Sequence, residues 1–309
     1  MKALIHVGDV RDRLSTIPDN DVQCVVTSPP YWGLRDYGHE DQLGLEPTPD
    51  EYIDNMVEVF REVRRILKDD GVMWLNLGDS YAGNRTTGRN DADRKWRGTD
   101  VRTAIGNYGK PKDLMGIPWR VAFALQSDGW YLRQDVIWHK PNPLPESVRD
   151  RCTKAHEYLF MLTKNPRYYF DNDAIKEPAV TAGSRSKVAG KKYDSTDPLY
   201  RTKNGPEFIV PDMKNKRSVW SIPTKAFKGA HFAVMPEALV EPCILASSRP
   251  GDIVFDPFAG SGTVGVVALR HGRKFAGCEL NSDYADIARA RISNAHPTMT
   301  KFELFGEPS

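Results

Sequence analysis

Cysteine is scarce in this 309-residue chain, and the four present, Cys24, Cys152, Cys243 and Cys278, are far apart with no C-x-x-C pair. That spacing argues against both a disulfide framework and a zinc cluster, and no metal site is expected. It also suits a reducing compartment, so a cytoplasmic location is expected, on the nucleoid when DNA is bound. No apolar run approaches the roughly 18 residues of a membrane helix, and no membrane partner is expected. The opening Met1-Lys2-Ala3-Leu4-Ile5-His6-Val7-Gly8-Asp9 turns polar too soon for a secretory signal. Net charge is nearly absent too, at +2. With 40% hydrophobic and 27% charged residues, the chain has an ordinary globular composition rather than a disordered one. Its length suits two units, or one large α/β domain carrying an insertion.

The charge is small in sum but unevenly placed. Residues 83–112 hold eight Lys/Arg against three Asp, and residues 179–217 hold nine against four Asp/Glu, which leaves the remainder acidic. Both stretches are rich in Gly, Ser, Thr, Asn and Pro and lack apolar periodicity, so they read as long loops. Either alone is as easily a solvated surface. Together, on an acidic body, they favour a polyanion such as nucleic acid. Trp96 and Tyr108 in the first, and Tyr193 and Tyr200 in the second, either stack on bases or anchor the loops.

Apolar runs bounded by turn residues predict strands at Val22–Thr27, Val72–Leu77, Trp130–Trp138, His156–Thr163, Val219–Ile222, Asp252–Asp256, Lys274–Glu279 and Lys301–Phe305. Between them, Thr48-Pro49-Asp50-Glu51 is a capping box that opens a helix, with Gly71 expected to end it. Further helices are expected near Pro118–Ser127, Pro236–Ala246 and Thr263–His271, and from Asn281 or Ser282 to about Asn294. This alternation means an α/β fold with a mostly parallel sheet.

Ligands of open α/β sheets bind beyond the C-terminal ends of the strands, and two such ends stand out. Asp256-Pro257-Phe258-Ala259-Gly260-Ser261-Gly262-Thr263-Val264-Gly265 follows a strand and opens a helix. Its glycines admit a close ligand, the helix N-terminus offers N–H groups, and Glu279 at the next strand end can accept from ribose hydroxyls. A nucleotide-type cofactor follows; the literal G-x-G-x-x-G does not say which. The second end is Thr27-Ser28-Pro29-Pro30-Tyr31-Trp32. Two prolines remove two donors and fix carbonyl acceptors beside an aromatic, which suits a planar group carrying –NH₂.

On these motifs the sequence resembles the DNA amino-methyltransferases of the permuted beta group, in which the Thr27–Trp32 type of motif comes early and the Asp256–Thr263 type late. The resemblance extends over Gly8-Asp9, Trp138-His139-Lys140-Pro141-Asn142 and His231-Phe232-Ala233-Val234-Met235-Pro236. It implies a Rossmann-like sheet, dependent on S-adenosylmethionine, with a circularly permuted motif order and an inserted target-recognition region. Residues 1–177 would form the catalytic part, 178–217 the insert and 218–309 the cofactor-binding part. Asp256, Phe258, Gly260, Gly262 and Thr263 would hold the methionine end of the cofactor. Glu279 would take the ribose, Asp9 the adenine amino group, and Phe232 would pack near the methionine. Ser28, Pro29, Pro30 and Tyr31 would handle a base flipped from duplex DNA, with Asp79 a further carboxylate that either helps or caps a turn. Trp32, Lys140, Arg149, Arg151, Lys191 and Lys192 would contact DNA. Ser-Pro-Pro-Tyr resembles the N4-cytosine enzymes, whereas adenine enzymes usually carry Asp or Asn at the Ser28 position. A cognate restriction endonuclease and a homodimer are the further partners implied.

Other readings stay open at this level. They are an N6-adenine DNA methyltransferase, a methyltransferase of RNA or protein, and a non-catalytic DNA-binding module. A nicotinamide oxidoreductase leaves Thr27–Trp32 unexplained. A C5-cytosine enzyme needs a nucleophilic cysteine; the only Pro-Cys pair, Pro242-Cys243, falls inside an expected helix, where Cys243 reads as a core residue.

Overall fold

The computed structural model describes residues 2–34, 41–82, 108–187, 190–191, 201–202, 207–224 and 234–297. The strands in chain order are β1 (Ala3–Val7), β2 (Val22–Thr27), β3 (Leu67–Leu77), β4 (Tyr131–His139) and β5 (His156–Thr163), then the short β6 (Glu177–Pro178), β7 (Arg185–Lys187), β8 (Gly190–Lys191), β9 (Arg201–Thr202), β10 (Glu207–Ile209) and β11 (Met213–Lys214), and finally β12 (Val219–Ser221), β13 (Ile253–Asp256) and β14 (Lys274–Glu279). Eight of them form one sheet in the order β1-β14-β13-β2-β3-β5-β4-β12. Seven of these run the same way. Only β5 is reversed, antiparallel to both β3 and β4.

The chain divides into two compact units, one made of residues 1–170 with 218–309 and the other of 171–217. The smaller unit contains three two-stranded ladders, β10-β7, β11-β6 and β8-β9. In it, Glu177 pairs with both Lys214 and Arg217.

In the larger unit, strand alternation sorts the core into two faces. Val25, Met73, Leu75 and Leu77 pack with Tyr52, Met56, Phe60 and Val63 of the Pro49–Ile66 helix and with Val121 and Leu125 of the Ile117–Ser127 helix. Cys24, Val26, Val72 and Trp74 pack with Leu239, Val240 and Ile244 of the Glu237–Ser247 helix, Val267 of the Thr263–Arg270 helix and Ala288 of the Ser282–Ala295 helix. Covering both faces explains why β2 is apolar almost without interruption and buried at every position. The expected capping box forms in part: Thr48 Oγ1 accepts from Glu51 N at 3.2 Å, with Pro49 in the first turn.

Two expectations fail locally. The long helix ends at Ile66 rather than Gly71, because Leu67 already pairs with Val22 and begins β3. Gly71 instead lets the strand pack closely, since a Cβ there would lie 2.6 Å from Leu67 Cγ and 3.0 Å from the Gln23 carbonyl oxygen. Strand β1 and the short Val10–Leu14 helix were not anticipated. The expected strand at Lys301–Phe305 lies outside the described residues. Among the described residues, no helix is long and apolar enough to cross a membrane, and no cluster of three metal-ligating side chains occurs.

Candidate active site

Adjacent strands β2 and β13 end side by side, and their ends are tied together. Asp256 Oδ1 accepts from Thr27 Oγ1 at 2.7 Å and from Phe258 N at 3.0 Å. The carboxyl is nonetheless so enclosed that burial pushes its pKa up to about 7, against those two bonds and with Glu279 adding to the rise. Next to it, Gly260 and Gly262 take φ of +51° and +76°, a backbone that a side chain disfavours. A Cβ at Gly262 would also lie 2.9 Å from Ala288 Cβ. Glu279 closes the cradle: Oε2 accepts from Gly260 N at 2.8 Å and Oε1 from Asn281 N at 3.0 Å. Burial raises its pKa, while those backbone N–H groups oppose the rise. Asp9 caps the Val10–Leu14 helix and is ion-paired with Arg11. Thr263 Oγ1 accepts from Arg291 Nη1 at 2.8 Å.

The strand ends open on one cavity of about 870 Å³. Its walls bring together Asp9, Ser28, Tyr31, Phe258, Asp256 and Glu279. That size lies within the range of sites that enclose a small organic ligand. A buried acid, two glycines in a left-handed backbone that keep the loop free of side chains, and a second acid at the next strand end fit a nucleoside cofactor with a charged amino-acid tail.

The other half of the cavity holds the Ser-Pro-Pro-Tyr segment. Tyr52 Oη donates to the Pro30 carbonyl at 2.9 Å, anchoring the turn from beneath. Ser28 Oγ donates to Tyr31 Oη at 3.1 Å, and Tyr31 Oη donates to Glu157 Oε2 at 2.9 Å. Asn76 Nδ2 donates to both Tyr31 Oη and Glu157 Oε2, at 3.1 and 2.9 Å. Lys140 pairs with Glu157 Oε1 and lies 4.3 Å from the Trp138 ring centroid. Asp79 is a helix cap: its carboxylate accepts from Gly116 N and Ile117 N, both at 3.1 Å. Lys154 donates to the Asp79 carbonyl, and burial lowers its pKa. His156 is shifted the same way by burial and by Lys154.

Gly78 floors this half. A Cβ there would lie 2.6 Å from Tyr31 Cε2, so Gly78→Ala must rotate the tyrosine ring. We expect single-turnover activity to slow by about 10-fold or more, with ligand affinity at the Asp256–Glu279 half of the cavity unchanged. A rate within twofold of the parent would show that the ring position does not matter.

Several predicted residues sit elsewhere. Trp32, expected to face DNA, is only 1% exposed and donates its indole N–H to the Glu46 carbonyl at 2.9 Å. The turn at Gly33, φ +63°, folds it back beneath the motif and into the core. Lys140 and Arg151 do not stand free for phosphate. The first is held by Glu157; the second is paired with Glu146 and lies over the Tyr81 ring at 4.1 Å. Arg149 is exposed. Tyr108 anchors its loop, donating to Asp50 Oδ2 at 3.0 Å and meeting Trp32 edge-on. Phe232, Lys192, Trp96, Tyr193 and Tyr200 lie outside the described residues, as does the side chain of Lys191. Cys243 is a buried helix residue bonded to the Leu239 carbonyl, far from a nucleophile's setting. Sequence reading missed Asn76, whose only signal was a polar residue inside an apolar run, and Glu157, which follows His156 at the start of its strand.

A cofactor cradle and a rigid acceptor turn on neighbouring strand ends define a Rossmann-like methyltransferase that uses S-adenosylmethionine. The sequence profile of the DNA methylase family of N6- and N4-methyltransferases matches residues 22–290. The type II methyltransferase M.SmaI of Serratia marcescens is 50% identical over 289 residues, covering 93% of this chain and 90% of that protein. The type II methyltransferase M.Cfr9I of Citrobacter freundii is 47% identical over 291 residues, covering 94% and 87%. Among solved structures, a Thermus thermophilus protein complexed with S-adenosyl-L-methionine superposes with a TM-score of 0.61 at 25% identity, covering 96% of each chain. The PvuII cytosine-N4-specific DNA methyltransferase shares the fold, with a TM-score of 0.63 at 19% identity, over 96% of this chain and 92% of that one. This chain belongs to the DNA methylase family and is a type II DNA methyltransferase.

Proposed function

We propose that the enzyme methylates the exocyclic N4 of a cytosine flipped out of a specific duplex DNA sequence. The observation that carries this reading is the polarity of the Ser28 hydroxyl. Its proton is given to Tyr31, so the lone pairs left on Oγ can accept from a substrate N–H. The Pro29 carbonyl is the second acceptor beside it. A base inside a duplex cannot reach a half-buried cavity wall, so the cytosine must leave the stack, and Tyr31 receives its face.

S-adenosylmethionine supplies a methyl group already activated on a sulfonium. The chain's own residues bind and aim. Asp256, Phe258, Gly260, Gly262 and Thr263 hold the methionine end, with Phe232 beside it. Glu279 takes the ribose and Asp9 the adenine. Ser28 Oγ and the Pro29 carbonyl orient the amino nitrogen so that its lone pair faces the methyl carbon. Positive charge builds on that nitrogen during transfer, so acceptors already fixed in place stabilise the transition state more than the ground state. Residues 178–217 are the target-recognition segment, which the basic composition there supports. Arg149, Lys191 and Lys192 contact phosphate. A cognate endonuclease is supported by the type II character of the relatives.

Nucleoside mass spectrometry of unmethylated duplex DNA after incubation with enzyme and S-adenosylmethionine tests the base. N4-methylcytosine is expected. N6-methyladenine as the product would overturn the reading of Ser28.

A further inference from the structure

We propose that Glu157 is the terminus of a proton relay that runs from the target amino group through Ser28 and Tyr31. The inference rests on the reading that places the amino nitrogen at Ser28.

The hydrogen-bond polarity at Tyr31 allows one direction. Its oxygen receives Ser28 O–H at 3.1 Å and Asn76 N–H at 3.1 Å, so its own proton goes to Glu157 Oε2 at 2.9 Å. The orientation of Asn76 is fixed, because its amide nitrogen also faces Glu157 Oε2 and the Tyr158 carbonyl, which only accept. Every link therefore donates towards Glu157. Its other oxygen meets Lys140, whose ammonium sits over Trp138 and holds the carboxylate in place. The Glu157 side chain keeps 16% of its surface open, which gives the arriving proton a way out.

The chemistry balances along this chain. As the N–C bond forms and the S–C bond breaks, sulfur keeps the electron pair and the amino nitrogen holds one proton too many. That proton passes to Ser28 Oγ, the Ser28 proton to Tyr31 Oη, and the Tyr31 proton to Glu157. Both hydroxyls end neutral, and the carboxylate ends as a carboxylic acid. A neutral serine is too weak a base to accept the proton alone. Linked to a carboxylate it becomes a conduit, and before transfer the same linkage makes Oγ a stronger acceptor. Glu157 acts on the amino group through the two hydroxyls, which makes it a positioning residue.

Glu157→Gln keeps the shape but cannot take a proton, and Tyr31→Phe keeps the ring but breaks the chain midway. In single-turnover assays on unmethylated plasmid DNA, each should slow transfer by about 10- to 100-fold. Binding of S-adenosylmethionine and of DNA should stay within about twofold. The double variant should be no slower than the worse single one, because both cut the same chain. A rate lowered in heavy water for the parent should lose that sensitivity in Glu157→Gln. The proposal is overturned if Glu157→Gln keeps the parental rate, if the two losses multiply, or if ligand binding falls in step with rate. The product is read by mass spectrometry in the same reactions. N6-methyladenine would sink the cytosine assignment while leaving the relay standing.

Discussion

Ser28→Ala should lower the single-turnover rate of methyl transfer by about 10²- to 10³-fold, the usual loss when one pre-set group at a developing charge is removed. Binding of the cofactor should survive, because Ser28 makes no bond with Asp256, Gly260 or Glu279; its hydroxyl is bonded to Tyr31. The fold should survive too, since the turn is held by the Tyr52–Pro30 bond and by its two prolines. Stopped-flow or quench measurements of methyl transfer, alongside calorimetry with S-adenosylmethionine, separate the two effects. Parental turnover in Ser28→Ala would mean that the hydroxyl is not the acceptor.

The second large effect concerns Asp256. Its folded pKa of about 7 stands well above that of an exposed aspartate, so near neutral pH the folded protein holds a proton the unfolded chain has released. For a carboxyl raised in this way, the associated stability is fully present below about pH 4 and is lost as pH rises through 7. Asp256→Asn cannot ionise, and its amide oxygen still accepts from Thr27 and Phe258. Without cofactor, we expect the variant to be more stable than the parent by roughly 2–4 kcal/mol at pH 8 and nearly equal to it at pH 4. It should also bind S-adenosylmethionine at least about 10-fold more weakly at pH 8, having lost the charge proposed to hold the methionine end of the cofactor. Denaturant melts at the two pH values, with calorimetry at pH 8, make the comparison. Equal stability at pH 8 would show that the carboxyl is not held at such a cost.

Both halves of the cavity were legible because each lies at the exit of an apolar strand, and a strand followed at once by Pro-Pro or by Gly-x-Gly has few bland explanations. Glu157 was not legible, for a topological reason. Motifs are sought at the last residues of strands, yet β5 runs against its neighbours and delivers its first residues to the same edge. Trp32 was misread because the turn at Gly33 is invisible in a run of aromatics; sequence shows that Trp32 is next to the motif, not which side it takes. Strand β1 was overlooked because its five residues, with His6 among them, carry too little apolar contrast. At Gly71 a glycine in the right place was credited to a helix end, when its work is to let Leu67 and the Gln23 carbonyl approach.

The order of strands in the sheet also bears on how the protein is made. Strands β1 and β2 are synthesised before their partners β14 and β13, which follow more than two hundred residues later. The Thr27–Asp256 bond that joins the two half-sites spans 229 residues. Contacts of such long separation form late and slowly, because the loop between them must close first. The cofactor cradle is thus among the last parts to be completed. A chain synthesised only as far as the acceptor turn has no means of binding a methyl donor, so modifying activity begins only once β13 and β14 have been made.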